Sequence, residues 1–333
     1  MEKQNDRKGL VSVIMPAYNA EKTIARAIHS VLQQDYPNIE LIVVNDGSTD
    51  ETEVVSKSII DNRLIIVNQN NLGLSGARNT GLSHVNGDFV AFVDSDDWVE
   101  PNYLSLLYES LVENNASLSI CGIVRDLPNN SYQCISFKSS SSYTDCFNNE
   151  DFLSLFEGGL INSCCNKIYR RSVIENNLLS FSGKVLVEDI EFNLKYLRYS
   201  DIISTIIDCP YHYVVEKGSL TSKVSEEMFQ NYMGIHKLFC ESLPDEHIVY
   251  ANRFVYHQYV NLFIKYLSKV ASGLSTKKDV YPILKKYIRM SLVSQSFKSY
   301  SPVNYKELVV TKCFQYGFFD LLLLYMKIKS HNG

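Results

Sequence analysis

The first hundred residues alternate short apolar runs with segments of helical period. VSVIMP at 11–16 reads as a buried strand stopped by Pro16. In EKTIARAIHSVLQQ, residues 21–34, apolar positions fall at 24, 27, 28, 31 and 32, the stripe of an amphipathic helix. IELIVVND at 39–46 is a second strand that ends in Asp46, and DGSTDETEVVSKSI begins with cap residues before it turns helical. LIIVNQ at 64–69 reads as a third strand, SGARNTGLSHV at 75–85 as a helix start, and FVAFVD at 89–94 as a fourth strand. Strands that are apolar almost throughout, alternating with helices, predict an α/β fold with a doubly wound, mostly parallel sheet flanked by helices.

Beyond residue 100 the pattern loosens. PNYLSLLYESLVENN is a helix with Pro101 near its first turn. The Ser- and Asn-rich stretch 127–150 is expected to be an exposed loop or irregular hairpin. VEDIEFNLKYLRYS at 187–200 has helical period, and from about 226 onward the chain reads as helical throughout. No internal repeat is visible. The expected organisation is an α/β domain over 1–225 and a helical region over 226–333.

Charge sharpens that division. Residues 1–248 carry 19 Lys+Arg against 34 Asp+Glu, while residues 249–333 carry 13 against 3. A basic region behind an acidic body points to an anionic partner for the former. The eight cysteines show no C-x-x-C pair and no zinc spacing, and are expected to be buried thiols of a reducing, cytoplasmic compartment. The N-terminal MEKQNDRKGL has no apolar h-region, so no secretory signal is expected. No run approaches the roughly 20 apolar residues of a spanning helix; FFDLLLLYM at 318–326 is short and interrupted by Asp320.

Candidate chemistry gathers where the strands end, since ligands of such sheets bind beyond the carboxyl ends of the strands. Asp94 and Asp96 in FVAFVDSDDW would point to one side of an extended chain, with Ser95 pointing away. Two such carboxylates repel unless something compensates, and a hard divalent cation would do so. The competing reading is a solvated turn in which Asp97 caps the next helix. Asp46 either caps the helix of 50–60 or accepts from a nucleobase or sugar hydroxyl. Arg78, in GLSGARNTG, either reaches a nucleotide or pairs with nearby acids. Glu188 and Asp189 are adjacent on a helix and so point about 100° apart, either as a dipole-favoured helix start or with one aimed at a substrate. His212, between Tyr211 and Tyr213, is either a buried, hydrogen-bonded imidazole or a metal or phosphate contact. Neither G-x-G-x-x-G after the first strand nor G-x-x-x-x-G-K-[ST] is present, which argues against nicotinamide, flavin and P-loop chemistry.

These pieces together resemble the family-2 inverting glycosyltransferases of the GT-A fold, in particular their bacterial surface-polysaccharide branch. The matching stretches are SVIMPAYNAEKTIARAIHSVLQQDYPNIELIVVNDGSTD, NNLGLSGARNTGL, GDFVAFVDSDDWVEPNYL, NKIYRRSVIE, VEDIEFN and PYHYVVEKGSLT, in family order across about residues 10–222. The resemblance implies a UDP-sugar donor with Mn2+ or Mg2+, a β-linkage as product, and a glycan or polyprenyl-diphosphate-linked acceptor. It implies that Pro16, Tyr18, Asp46, Asn71 and Arg78 surround uracil and ribose, joined by Asp94 and Ser95. It implies Asp96 as metal ligand, shared with Asp94 and with His212, and Asp189 as catalytic base. Relatives often carry Arg after the His motif, where this chain has Val214. The basic helices, such as KYLSKVASGL, KKYIRM and LLLLYMKIKS, are expected either to dock peripherally on an anionic membrane or to pack as a helical subdomain or dimer interface. Nothing implies a nucleic-acid partner. The competing functions are a nucleotidyltransferase, whose Gly-rich basic phosphate loop is missing, and an inactive sugar-nucleotide-binding protein.

Overall fold

The computed structural model describes residues 9–183, 187–215, 226–289 and 305–324. The N-terminal MEKQNDRK, the EKGSLT that closes the PYHYVVEKGSLT stretch, the last residue of KKYIRM and most of LLLLYMKIKS lie outside the described residues. The chain divides into two compact units. One is Met1–Lys184 with Glu188–Lys217, the other Val185–Val187 with Gly218–Gly333.

In the first unit the early elements follow the hydrophobic pattern closely. They are β1 (Val11–Ala17), α1 (Ile24–Leu32), β2 (Ile39–Asp46), α2 (Thr52–Ser58), β3 (Leu64–Gln69), α3 (Gly73–Ser83) and β4 (Phe89–Phe92). β1 and β2 are buried at every position, as strands covered on both faces must be. α1 buries Ile24, Ala27, Ile28, Val31 and Leu32, the predicted stripe. Each of the Ile, Val and Leu side chains contributes about 1.5–3 kcal/mol by leaving water. Then come β5 (Trp98–Val99), α4 (Tyr103–Glu113), β6 (Leu118–Ile120), β7 (Ile123–Asp126), β8 (Tyr132–Ile135), β9 (Ser141–Thr144), α5 (Glu150–Ser154), β10 (Lys167–Arg170), α6 (Arg171–Asn176), α7 (Glu188–Leu197), β11 (Ile202–Thr205) and β12 (Tyr211–Val214).

The main sheet has the order β3-β2-β1-β4-β10-β6-β11-β9. β1, β2, β3 and β4 are mutually parallel, as are β6 and β11, while β10 and β9 run antiparallel to their neighbours. The chain therefore moves outward from β1 through β2 to β3 and returns to the other side of β1 for β4. That reversal is the switch point at which such sheets hold ligands. A smaller sheet, β5-β12-β7-β8, stands beside it.

Pro16 does not stop β1, which runs to Ala17. The Ile14 carbonyl faces β4, accepting from the Val93 amide, so position 16 faces the same way. The β1–β4 register ends at Ile14–Phe92, and the missing proline N–H therefore falls beyond the ladder. The polar stretch 127–150 is more ordered than a loop: β7 and β8 form an antiparallel hairpin, and β9 pairs with β11. That hairpin also corrects the reading of the cysteines. Cys134 on β8 and Cys209, just before β12, form a disulfide with Cα atoms 6.8 Å apart. β7 lies between β8 and β12 in the small sheet, which brings together two residues 75 apart in sequence. The other six cysteines are thiols, five of them buried.

The second unit is helical among the described residues: α8 (Glu227–Cys240), α9 (Ile248–Ala271), α10 (Lys277–Ile288) and α11 (Tyr305–Tyr316). Its core is aromatic. Phe229 stacks on Tyr287 at 4.1 Å and lies 5.8 Å from Tyr259, 5.4 Å from Phe263 and 5.7 Å from Tyr266. α10 starts with a reciprocal capping box between Thr276 and Asp279.

Candidate functional site

Four loops meet at the carboxyl ends of β1, β2, β3 and β4. The β1 and β2 loops are stitched together: the Thr49 amide donates to Asn19 Oδ1 at 2.8 Å, and the Asn19 and Ala20 amides donate to the hydroxyls of Ser48 and Thr52 at 3.0 and 2.7 Å. Tyr18, directly after β1, is left 51% exposed, while Pro16 behind it is buried.

Asp46 is not the cap of α2, whose first turn begins six residues later. It is buried, and its Oδ1 accepts from Gln69 Nε2 at 2.6 Å and from the Leu72 amide at 2.8 Å. It therefore shapes the β3–α3 loop that carries Asn71, which is exposed and accepts from the Gly73 amide at 3.1 Å. Gly47 makes this junction feasible. Its φ is +71°, and a Cβ there would lie 2.8 Å from the Asn71 amide nitrogen.

Arg78 projects from α3, which packs so closely on β1 that a Cβ at Gly81 would meet Ile14 Cγ2 at 2.3 Å. The arginine side chain is 1% exposed. One guanidinium nitrogen, Nη1, donates to Asp189 Oδ1, and the other, Nη2, donates to Asp94 Oδ1 at 3.1 Å. Phe181 and Phe92 flank it, with centroids 5.3 and 6.0 Å from Cζ. Burial pulls the guanidinium pKa down, but Asp189 and Asp94 more than offset it and the net shift is upward. The structure shows Arg78 paired with acids, and both carboxylates are partly exposed, Asp189 at 22% and Asp94 at 29%.

The acid segment is a turn and not a continued strand. β4 ends at Phe92, and the Asp97 amide donates to the Asp94 carbonyl at 3.1 Å. The turn brings carboxylate oxygens of Asp94, Asp96 and Asp97 within 4.8 Å of one another. Ser95 is buried and Asp96 exposed. Asp97 does not cap a helix, because β5 follows it and α4 begins only at Tyr103. Its Oδ2 accepts from Tyr211 Oη at 2.6 Å and its Oδ1 from the Val214 amide at 2.9 Å, which fastens the turn to β12. Burial, then Asp94 and Asp96, push its pKa well above the usual carboxylate range. A cluster of hard oxygen donors suits Mn2+ or Mg2+. With both Asp97 oxygens engaged in bonds to β12, the less buried Asp94 and Asp96 are the carboxylates of the cluster nearer solvent.

His212 is not part of that cluster. Its Nδ1 lies 3.2 Å from both Asp126 oxygens, its Nε2 lies 3.1 Å from Glu100, and its ring stacks on Trp98 at 3.6 Å. The β12–β5 register, which sets His212 opposite Trp98, turns the imidazole to this neighbourhood.

Asp189 opens α7, where the helix N-terminus favours negative charge. Its Oδ2 accepts from the Cys164 amide at 3.0 Å, so two fixed donors set its orientation. Glu188, one residue earlier, is buried. The loop that presents Cys164 is held by Lys167, a fully buried side chain donating to the carbonyls of Leu160, at 2.7 Å, and Ser163, and to Asn166 Oδ1, at 2.8 Å. Burial lowers its pKa to about 8. Neither Lys167, the Cys164 amide nor the partners of Asp97 stand out in the sequence, since their roles arise from long-range pairing.

The family model of glycosyl transferase family 2 matches residues 12–178. Glycosyltransferase GlyA of Streptococcus pneumoniae is 34% identical over 225 residues, 65% of this chain and 32% of GlyA. The UDP-Glc:alpha-D-GlcNAc-diphosphoundecaprenol beta-1,3-glucosyltransferase WfgD of Escherichia coli is 45% identical over 109 residues, 32% of this chain and 43% of WfgD. The chain thus spans less than half the length of either. Among solved structures, S. aureus TarS 1-349 in complex with UDP-GlcNAc superposes with a TM-score of 0.66 at 21% identity, covering 92% of this chain and 89% of TarS 1-349. That likeness is one of fold, and it is the GT-A arrangement of parallel sheet and flanking helices. With half of its length matching the family model and the acid turn inside the match, the chain belongs to glycosyl transferase family 2.

Proposed function

We propose that this glycosyltransferase moves a hexose or N-acetylhexosamine from a UDP-sugar to a hydroxyl of a glycan or polyprenyl-diphosphate-linked acceptor. The reaction inverts the anomeric centre and serves bacterial surface-polysaccharide assembly. The observation that carries the reading is the Arg78 bridge, which holds Asp189 and Asp94 to opposite nitrogens of one buried guanidinium. A base and the acid turn are thereby kept a fixed distance apart, as a single displacement at one carbon requires. The UDP-GlcNAc bound by TarS and the donor and acceptor in the name of WfgD support it.

Tyr18, Asn71 and the Asp46-shaped loop, with Pro16 and Ser95, form the wall for uracil and ribose. The acceptor hydroxyl lies against Asp189, whose carboxylate takes its proton as the oxygen attacks the anomeric carbon. The bond from that carbon to the diphosphate breaks, and UDP leaves with the electron pair. Asp96 and Asp94 would hold Mn2+ or Mg2+, which would supply Lewis-acid stabilisation of the diphosphate charge. Attack from the face opposite the leaving group yields a β-linkage from an α-linked donor.

The basic second unit serves a membrane-side acceptor by resting on anionic lipid. Lys265, Lys269, Lys285 and Lys286 lie on its helices, and Phe318, Leu321 and Leu324 are exposed. Among the described residues no helix is long and apolar enough to cross a membrane.

UDP release from a panel of UDP-sugars, with and without Mn2+, tests the reading. Asp189→Asn is expected to lower transfer by roughly 10²–10⁴-fold with UDP binding retained. Metal-independent release, or none from any UDP-sugar with acceptor present, would sink it.

A further inference from the structure

A groove of about 440 Å3 runs between α1 and the β5 segment. One wall is the outer face of α1, where Arg26, His29, Ser30 and Gln33 recur at helical spacing opposite the buried stripe. The other wall holds Trp98 and Pro101. One face of the Trp98 indole is covered by His212, stacked at 3.6 Å and 19°, and its Nε1 donates to Asp126 at 3.0 Å. The indole is therefore a fixed platform with one face left for the groove.

Of the polar groups opposite it, Ser30 is engaged by Ala27 and Val99, and Arg26 only in part. Arg26 donates to the Asp96 carbonyl at 2.5 Å, which ties the groove to the acid turn. Among the described residues the rest of that guanidinium, the His29 ring and the Gln33 amide make no side-chain hydrogen bond, and all three side chains are exposed. None of these residues belongs to the donor wall formed by Tyr18, Asp46 and Asn71.

We infer that this groove is a subsite for a pyranose unit of the acceptor glycan, with the sugar's C–H face on Trp98 and its hydroxyls on His29, Gln33 and Arg26. The inference rests on the transferase reading above. A pyranose needs this mixture: a flat apolar surface on one side and a few separate donors and acceptors on the other. A groove of several hundred Å3 is the size of a small-ligand site. Its contact with Asp96 through Arg26 places the acceptor chain alongside the metal-binding turn, clear of the donor loops.

Trp98 is the only tryptophan in the chain, so its emission reports on this groove and on the acid turn beside it. The test is a titration of the full chain with methyl glycosides and disaccharides of glucose, galactose and their N-acetylamino forms. Saturable quenching or a shift of Trp98 emission is expected, and it should persist when UDP and Mn2+ are present in excess. His29→Ala and Gln33→Ala should each weaken it roughly three- to tenfold, the range for one hydrogen bond, with UDP binding unchanged. No response to any glycoside, equal affinity in the variants, or a response to pyrophosphate alone overturns the inference. If UDP binds and no glycoside does, the groove fails by itself. If a glycoside shifts Trp98 while UDP does not bind with Mn2+, the transferase reading fails instead.

Discussion

The Arg78 guanidinium donates to Asp189, 111 residues away in sequence, from a position where its own side chain is 1% exposed and the carboxylate 22%. The cation is buried and its partner is partly exposed. A fixed positive charge is thus held under a carboxylate that solvent reaches, and Asp94 receives the same support from the other nitrogen.

Substitution of Arg78 should separate charge from geometry. Arg78→Lys keeps a cation but lacks the planar fork that reaches both acids. A misplaced catalytic group costs up to about 10² in rate, so kcat should fall 10- to 100-fold while the KM for the donor changes far less. Arg78→Met removes one partner of a buried pair and should cost about 3 kcal/mol in thermal or urea unfolding. Unchanged kcat in Arg78→Lys would show that the bridge does not position Asp189.

Asp96 is exposed, and its loss should matter to metal and not to folding. Asp96→Ala is expected to unfold within about 0.5 kcal/mol of the parent. The parent should gain about 2.7 kcal/mol when Mn2+ is supplied with UDP at a hundredfold excess over Kd, and the variant should not. Equal Mn2+-dependent rises in Tm for both proteins would remove Asp96 from the metal site.

Gly47→Ala tests the donor wall. The left-handed backbone at +71° costs an L-residue about 1–2 kcal/mol, and the new methyl would meet the Asn71 amide at 2.8 Å. The β2 loop must move away from Asn71, so UDP affinity measured by calorimetry should fall together with stability. A variant as stable as the parent that binds UDP equally well would contradict this geometry.

Lys167 supplies a pH dependence. Its folded pKa of about 8 lies below the ordinary lysine value. Below pH 8 it is charged in both states, and its burial cost is fully present. Between about 8 and 10.4 the folded protein has released the proton and the unfolded chain has not, so that cost shrinks as pH rises. The parent should therefore gain on Lys167→Met across this window, by at most roughly 3 kcal/mol. A difference between the two that stays constant from pH 7 to 10 would mean the amine is not desolvated.

Much of the first unit was legible because burial leaves a direct mark, complete along β2 and partial along the edge strand β3. IELIVVND and LIIVNQ are β2 and β3 residue for residue, and the α1 stripe is the buried face of the helix. The acidic and polar residues at the strand ends followed from the same reading, since a parallel sheet has one carboxyl edge. Asp97 was misread as a cap because its partners, Tyr211 and Val214, arrive on a strand more than a hundred residues later. Cys134 and Cys209 were misread for the same reason.

The sequence by itself determined the fold class, the carboxyl edge of the parallel strands, and the acids that stand there. Only the tertiary structure decided what each one faces. It put Arg78 beneath Asp94 and Asp189, turned His212 toward Asp126 and Glu100, and bound Asp97 to β12. Local patterning encodes burial, which sums over neighbouring residues. A charge partner is set by strand register across the sheet, where a shift of one residue turns a side chain to the opposite face.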